Sequence, residues 1–401
     1  MNQVSLSDVY WFQEGPGVRN WQFKESGIKL LNVANITKQG KIDLDKTDRH
    51  LSTEEVDSKY QHFLIDEGDL VIASSGITND EDNLLRTKIA FIEKQHLPLC
   101  LNTSTIRFKA KDGVSDLKFL KHWLNSLEFR QQITKEVTGI AQKNFGPSHL
   151  KKIKISLPPL SEQHRIASIL DQADELRQKR QQAIEKLDQL LQATFIDMFG
   201  DPVSNPKGFK TIEFSKIGKW KSGATPSKAN DDFWIGKFPW VSPKDMKTDH
   251  IFDAQDHISE IVFKETNLKK IDKGHLLIVV RGMILAHSFP TAINEVPISI
   301  NQDMKAIEPI DDINVVYLKS TIDAFKPFIL ELISDAAHGT KRFDLIYAEL
   351  MKIPVPPMEL QQKFQANYEN IKSQIENLKK QLSYFNVLFK SLQNQAFNGT
   401  L

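Results

Sequence analysis

The sequence predicts an α+β protein: two mixed α/β globular domains in tandem, each followed by one long helix, with the two helices pairing as an antiparallel coiled coil. Three observations carry that expectation. The 401 residues exceed what one core usually organises and point to two or three units. The stretch "LPPLSEQHRIASILDQADELRQK" (Leu157 to Lys179) returns near the C-terminus as "IPVPPMELQQKFQANYENIKSQ" (Ile353 to Gln374). Setting Pro158-Pro159 over Pro356-Pro357 gives an offset of 198 residues (356 − 158), and Gln163 then falls on Gln361. A period that long marks a duplicated domain pair rather than a solenoid. Apolar residues after each proline pair step alternately by four and three, the signature of a helix with one buried seam. The expected segments are residues 1–157 (first domain), 158–200 (central helix), 201–355 (second domain) and 356–401 (C-terminal helix). Together they form an internal repeat with pseudo-two-fold symmetry.

The globular halves echo each other. "FLIDEGDLVIASSG" (Phe63 to Gly76) resembles "KKIDKGHLLIVVRG" (Lys269 to Gly282), with Gly68 over Gly274 and Gly76 over Gly282. Each reads as a turn, a buried β-run and a closing glycine. "GIKLLNVANI" (Gly27 to Ile36) matches "KFPWVSPKDM" (Lys237 to Met246) in pattern, and "TGIAQKNFGPSHLKKI" parallels "HGTKRFDLIYAELMKI". A short apolar strand candidate precedes each proline pair. β-runs this short, set between turn signals, argue against a doubly wound sheet.

In the central helix the seam is Ile166, Leu170, Ala173, Arg177, Arg180, Ile184, Leu187, Leu191, Thr194 and Met198. In the C-terminal helix it is Phe364, Tyr368, Ile371, Ile375, Leu378, Leu382, Phe385, Phe389, Leu392 and Ala396. An a/d seam kept over about four heptads calls for a partner helix, and the simplest partner is the other copy. Ser161, followed by Glu162 and Gln163, fits an N-cap just after the prolines. A helix of about 38 residues is roughly 57 Å long, more than a domain of this size spans. Arg177 and Arg180 occupy the middle of the seam, where the second copy has Ile375 and Leu378. Snorkelling to solvent is the plain expectation for them; setting the register or facing a partner is the other.

Composition is that of an ordinary globular protein, 40% hydrophobic and 26% charged, so disorder is not expected. A single cysteine, Cys100, excludes an internal disulfide framework. With no signal-like apolar stretch at the start, that suggests a reducing, cytoplasmic setting. No apolar run approaches the roughly 20 residues of a membrane span. The net charge of +1 argues mildly against a chain that holds DNA alone, but leaves room for basic groups gathered on one face. No phosphate loop, dinucleotide fingerprint, zincin helix or nucleophile elbow occurs. One cysteine cannot build a thiolate zinc site. Asp80-Glu81-Asp82 reads as a charged turn. No catalytic residue, metal ligand or cofactor is therefore assigned to this chain.

The polar residues left over gather in loops. Lys143, Asn144 and Ser148 precede the first proline pair, and Lys341 and Arg342 precede the second. Arg281 ends a β-run beside Gly282, and Lys38 and Gln39 follow the "NVANI" strand. Lys and Arg neutralise phosphate, whereas Arg-to-guanine and Asn-to-adenine pairs read base edges in the major groove. These eight are the candidate DNA contacts. Trp11 and Trp240 suit the core better than base stacking.

Two variable domains, each followed by a long helix opening on Pro158, Pro159, Leu160, Glu162, Gln163 and Ile166, resemble the specificity subunits of type I restriction–modification systems. The run "LLQATFIDMFGDP" (Leu190 to Pro202) is similar to that family's central region, and "SGATPSK" followed by "FPWVSPKDM" to the opening of a target recognition domain. The second phrase departs from the pattern, with Met358, Leu360 and Phe364 at the Leu, Glu and Ile positions, while Gln361 stays. The resemblance implies target recognition domains that each read half of a bipartite double-stranded DNA site. It implies helices, through residues such as Ile166, Leu170, Leu187, Leu191, Ile371, Leu378, Phe385 and Phe389, that space the domains and dock partners. Two modification subunits would then supply S-adenosylmethionine-dependent methylation, and restriction subunits would supply ATP- and Mg-dependent translocation and cleavage. The competing reading is a tandem DNA-binding regulator or defence scaffold that acts without methyltransferase partners.

Overall fold

In the computed structural model of the chain, "LVIA" forms the strand Leu70–Ala73 and "LLIV" the strand Leu276–Val279, with every residue of both buried. Such a run needs cover on both faces. Leu70 and Ile72 face a core with Phe108 and Trp123, while Val71 and Ala73 face one with Leu31, Ala90 and Leu101. Each strand follows a turn glycine in the left-handed region, Gly68 at φ +85° and Gly274 at φ +86°, which a side chain would strain. The structure describes residues 3–79, 83–137, 143–335, 340–344 and 346–401; the acidic turn Asp80-Glu81-Asp82 lies outside them.

In the first half the sheet order is Tyr10–Glu14, Thr105–Ala110, Leu70–Ala73, Ile89–Phe91, antiparallel throughout. The second half repeats all four members as Gly218–Ser222, Met304–Pro309, Leu276–Val279 and Thr291–Asn294. It then adds His250–Ile251, parallel to the last. A smaller sheet accompanies each. Ile28–Leu31 pairs antiparallel with His50–Leu51 and parallel with Leu99–Leu101. Phe238–Val241 likewise pairs antiparallel with Asp256–Ile258 and parallel with Ser299–Ile300. The helices differ. Asn125 and Ser126 interrupt the first half's pair, Leu117–Leu124 and Leu127–Glu136, with Ser126 capping the restart. Its counterpart Val315–Leu332 runs unbroken.

Contacts divide the chain into two compact units, Met1–Gln181 with Lys380–Leu401, and Gln182–Lys379, so each long helix is shared between them. The helices run Leu160–Phe199 and Met358–Asn398. Within the first unit they are antiparallel: Arg165 donates to the Leu401 carbonyl at 2.8 Å and Arg177 to Asn386 at 2.7 Å. Within the second unit the same direction holds, with Phe199 against Phe364 at 5.5 Å between ring centroids and Lys372 meeting Asp188 at 3.4 Å. Every residue of both seams is at least half-buried. The helix ends also close the globular cores. Ile166 and Leu170 share a cluster with Phe397, and Phe195 and Phe199 share one with Phe364 and Tyr368. No helix among the described residues is long and apolar enough to cross a membrane.

Three local expectations need correction. The first long helix starts at Leu160, its opening bonds running from the Glu162 and Gln163 N–H groups to the Pro159 carbonyl, so Ser161 lies inside it and caps nothing. At the far end Phe195 and Phe199 are the deeply buried residues, while Thr194 and Met198 are only half-buried, because the helix there packs on the ring of Tyr317 as well as on its partner. Arg177 and Arg180 do not snorkel. Their guanidiniums lie 4.5 Å from the ring centre of Phe389 and 5.8 Å from that of Phe385, and Arg177 also bonds Asp174.

The phrase shared by the two copies has a structural reason. Gln163 and Gln361 are fully buried. The Gln163 amide donates to the carbonyls of Pro158 and Val114, both at 2.9 Å, and its oxygen accepts from the Asp116 N–H at 2.9 Å. Gln361 repeats this 198 residues on, donating to Pro356 (2.8 Å) and Asp312 (2.9 Å) and accepting from Asn314 (2.8 Å). Asp116 and Asn314 in turn cap the helices Leu117–Leu124 and Val315–Leu332, so one glutamine staples the base of each long helix to its domain.

Candidate nucleic-acid interface

The two central strands end in loops that meet the segments leading to the prolines. In the first unit Phe145, itself buried, donates its N–H to the Ser74 carbonyl at 3.0 Å. In the second, buried Phe343 donates to the Val280 carbonyl, also at 3.0 Å, and the Gly282 N–H reaches the Lys341 carbonyl at 3.0 Å. The same loop pair is thus built twice, each anchored by a phenylalanine.

On the first of these sites lies a cleft of about 750 Å³ whose lining includes Glu14, Ser74, Gly76, Lys143 and Asn144. Lys143 bonds Asn79 at 3.0 Å, and Asn144 is exposed. Burial raises the carboxyl pKa of Glu14. On the second, Arg281 bridges backbone to backbone with Arg342, and the short strand Lys341–Arg342 pairs with Ser334–Asp335. The Arg342 side chain is half exposed and bonds Asp344 at 2.6 Å, while Arg281 is exposed.

The structure therefore gathers five of the eight candidates into two matched sites: Lys143 and Asn144 in one, Arg281, Lys341 and Arg342 in the other. It does not bring in the rest. Lys38 and Gln39 are exposed in the tight turn between Ile36 and Ile42 and do not line the cleft. Ser148 is exposed on the one-turn helix Pro147–Leu150, also off the cleft lining. Trp240 is buried, with its indole N–H on the Ala224 carbonyl at 3.0 Å, but Trp11 is 43% exposed, with Arg107 stacked 5.1 Å from the ring centre. Sequence reasoning missed Glu14 and Asn79. Glu14 is legible only once the register of its strand is known.

The family model for the type I restriction modification DNA specificity domain matches twice, over residues 3–186 and 206–384. The chain belongs to that family. Among specificity-subunit relatives, it is 32% identical over 270 residues to the EcoR124I/EcoR124II specificity subunit of Escherichia coli, covering 63% of this chain and 62% of that one. It is 31% identical over 182 residues to the MjaIX specificity subunit of Methanocaldococcus jannaschii, covering 44% and 40%. The matched parts thus span less than two-thirds of either relative. In fold, it is similar to a type I system S subunit from M. genitalium, with a TM-score of 0.57, 18% identity and coverage of 99% and 96% of the two chains. A second structure, from work on assembly of the type I R-M system, gives 0.56 at 17% identity, covering 100% and 98%. The two matches of the specificity-domain model coincide with the tandem repeat.

Proposed function

We propose that this specificity-family chain is the DNA-recognition subunit of a type I restriction–modification complex, without catalytic activity of its own. Each globular domain reads one half of a bipartite, asymmetric double-stranded site. The observation that carries the reading is the duplicated loop pair, which sets Lys143 and Asn144 in one domain where Arg281, Lys341 and Arg342 stand in the other. Lysine and arginine supply phosphate neutralisation, and asparagine and arginine can read base edges.

The paired helices serve as docking surface for two modification subunits. Tyr384 (77% exposed), Val387 (67%) and Leu388 (49%) stand on the second helix, apolar and uncovered. The chemistry then belongs to other chains: S-adenosylmethionine-dependent methylation to the modification subunits, ATP- and Mg-dependent translocation and cleavage to the restriction subunits. The complex works in the cytoplasm, where its DNA is. A near-neutral subunit suits this arrangement, because its partners share the phosphate contacts.

The test is competition binding by the complete complex on DNA carrying substitutions in either half-site. Arg342→Ala with Lys341→Ala is expected to cost about 1–3 kcal/mol of discrimination at one half-site and to leave the other intact. Lys143→Ala with Asn144→Ala does the reverse. Equal weakening on every sequence assigns these loops to phosphate alone, and no weakening removes them from the interface. Failure of the wild-type chain to assemble with a modification subunit contradicts the proposal as a whole.

A further inference from the structure

The matched sites differ at one strand end. Glu14 closes its strand beside Ile106, with Ile72 next in the row. The row that corresponds to it in the second unit is Ser222, Lys305 and Ile278. Glycine follows in both units. A Cβ on Gly15 would lie 2.4 Å from the Asn102 backbone nitrogen, and one on Gly223 would lie 2.0 Å from the Ile300 carbonyl oxygen. This close backbone approach pins both strand ends, so Glu14 and Ser222 are held at the same place in their respective units.

The charge each row carries is opposite: Glu14 in the first unit, Lys305 beside Ser222 in the second. Glu14 lines the cleft with Lys143 and Asn144, half-buried, without a hydrogen bond or ion pair among the described residues. In the second unit the Lys305 ammonium, half-buried and without an ion pair among the described residues, donates to the Ser222 hydroxyl at 2.6 Å. Phosphate repels a carboxylate, so an acidic group in a DNA-reading cleft needs a base donor. The donors in the major groove are the exocyclic amines of cytosine and adenine. An ammonium with a hydroxyl instead suits the guanine O6 and N7 acceptors.

We propose that this row is a base-reading position of opposite polarity in the two domains. Glu14 accepts from the amine of a cytosine in one half-site, and Lys305, held by Ser222, donates to a guanine in the other. The inference rests on the DNA-recognition reading above. Specificity at this position is then set by which strand of the row carries the charged side chain, Glu14 before its glycine in one unit and Lys305 on the neighbouring strand, beside Ser222, in the other.

The experiment is modified-base sequencing of DNA from cells that express the full chain with its modification subunit. The chains compared are wild type, Glu14→Gln and Lys305→Met. A glutamine amide favours adenine through N6 and N7. Glu14→Gln is therefore expected to move one position of one half-site from cytosine towards adenine, with about a 10-fold change in relative methylation. Lys305→Met relaxes a guanine in the other half only, and the unaffected half reports that each variant is folded and assembled. Unchanged motifs in both variants, or methylation lowered evenly at every site, overturn the polarity proposal while leaving DNA recognition standing. A wild-type chain that directs no methylation motif overturns the reading beneath it.

Discussion

Gln163→Ala is expected to lower the stability of the first unit by on the order of 3 kcal/mol, and Gln361→Ala to do the same in the second. Each substitution strands one buried N–H and two carbonyls that have the glutamine as their partner, and a buried unsatisfied group costs about 1–3 kcal/mol. The glutamine also cannot be replaced by its isostere. Gln163→Glu keeps the acceptor for Asp116 but loses both donations and sets a charge in a fully buried site, so it should be at least as damaging as alanine. For units of roughly 200 residues, a loss of that size lowers Tm by about 10 °C. Calorimetry of both variants measures it. A change below about 1 kcal/mol for Gln163→Glu would show that the staple contributes little.

The second large effect belongs to Lys319. Its ammonium, 2% exposed, meets Asp249 at 2.5 Å and Asp323 at 2.7 Å, and Asp249 also reaches Lys372 on the second long helix at 2.8 Å. Removing one member of a buried ion cluster costs about 3–5 kcal/mol, because the remaining charges keep their desolvation. Both carboxylates are about one-third exposed, so the lower end applies: Lys319→Met should cost about 3 kcal/mol. Adding Asp249→Asn and Asp323→Asn should recover much of that loss. The cluster also predicts pH dependence. Burial alone would raise the carboxyl pKa of Asp249, but Lys319 and Lys372 outweigh it and hold the group well below the usual carboxylate range. A carboxylate with a depressed folded-state pKa stabilises fully above its unfolded value of about 3.9, and that stabilisation is lost as pH falls through the folded value. Thermal melts between neutral pH and pH 3 should therefore fall steeply below about pH 4 in the wild type and less steeply in the triple variant.

Much of this architecture was legible in the residues themselves. The turn glycines, the fully apolar β-runs and the repeated proline phrase each express a local rule, whether left-handed backbone, two-sided burial or helix entry, and such rules survive without tertiary context. The misses came where two elements meet. Phe195 and Phe199 displaced Thr194 and Met198 because the helix end faces the Tyr317 ring as well as its partner helix, which a heptad count does not include. Arg177 and Arg180 stayed in the seam because the opposite helix offers Phe389, Phe385 and Asn386, side chains that only the antiparallel register brings alongside. The loop pairs were half legible. Lys143 and Arg342 stood out by type, but Lys38 matches them in chemistry and differs only in place. Glu14 was hidden because its meaning depends on the strand beside it and on the polarity of its counterpart in the other unit.

The central claim is that two similar domains act as two separate readers of one DNA site. Modified-base sequencing of a host that carries this chain and the proposed modification subunit tests it most directly, above all when residues 201–355 are exchanged for the matching segment of a relative. The account predicts a methylated motif of two specified parts around an unspecified spacer, with the exchange rewriting one part and leaving the other unchanged. A continuous motif, or an exchange that alters both parts together, would contradict it.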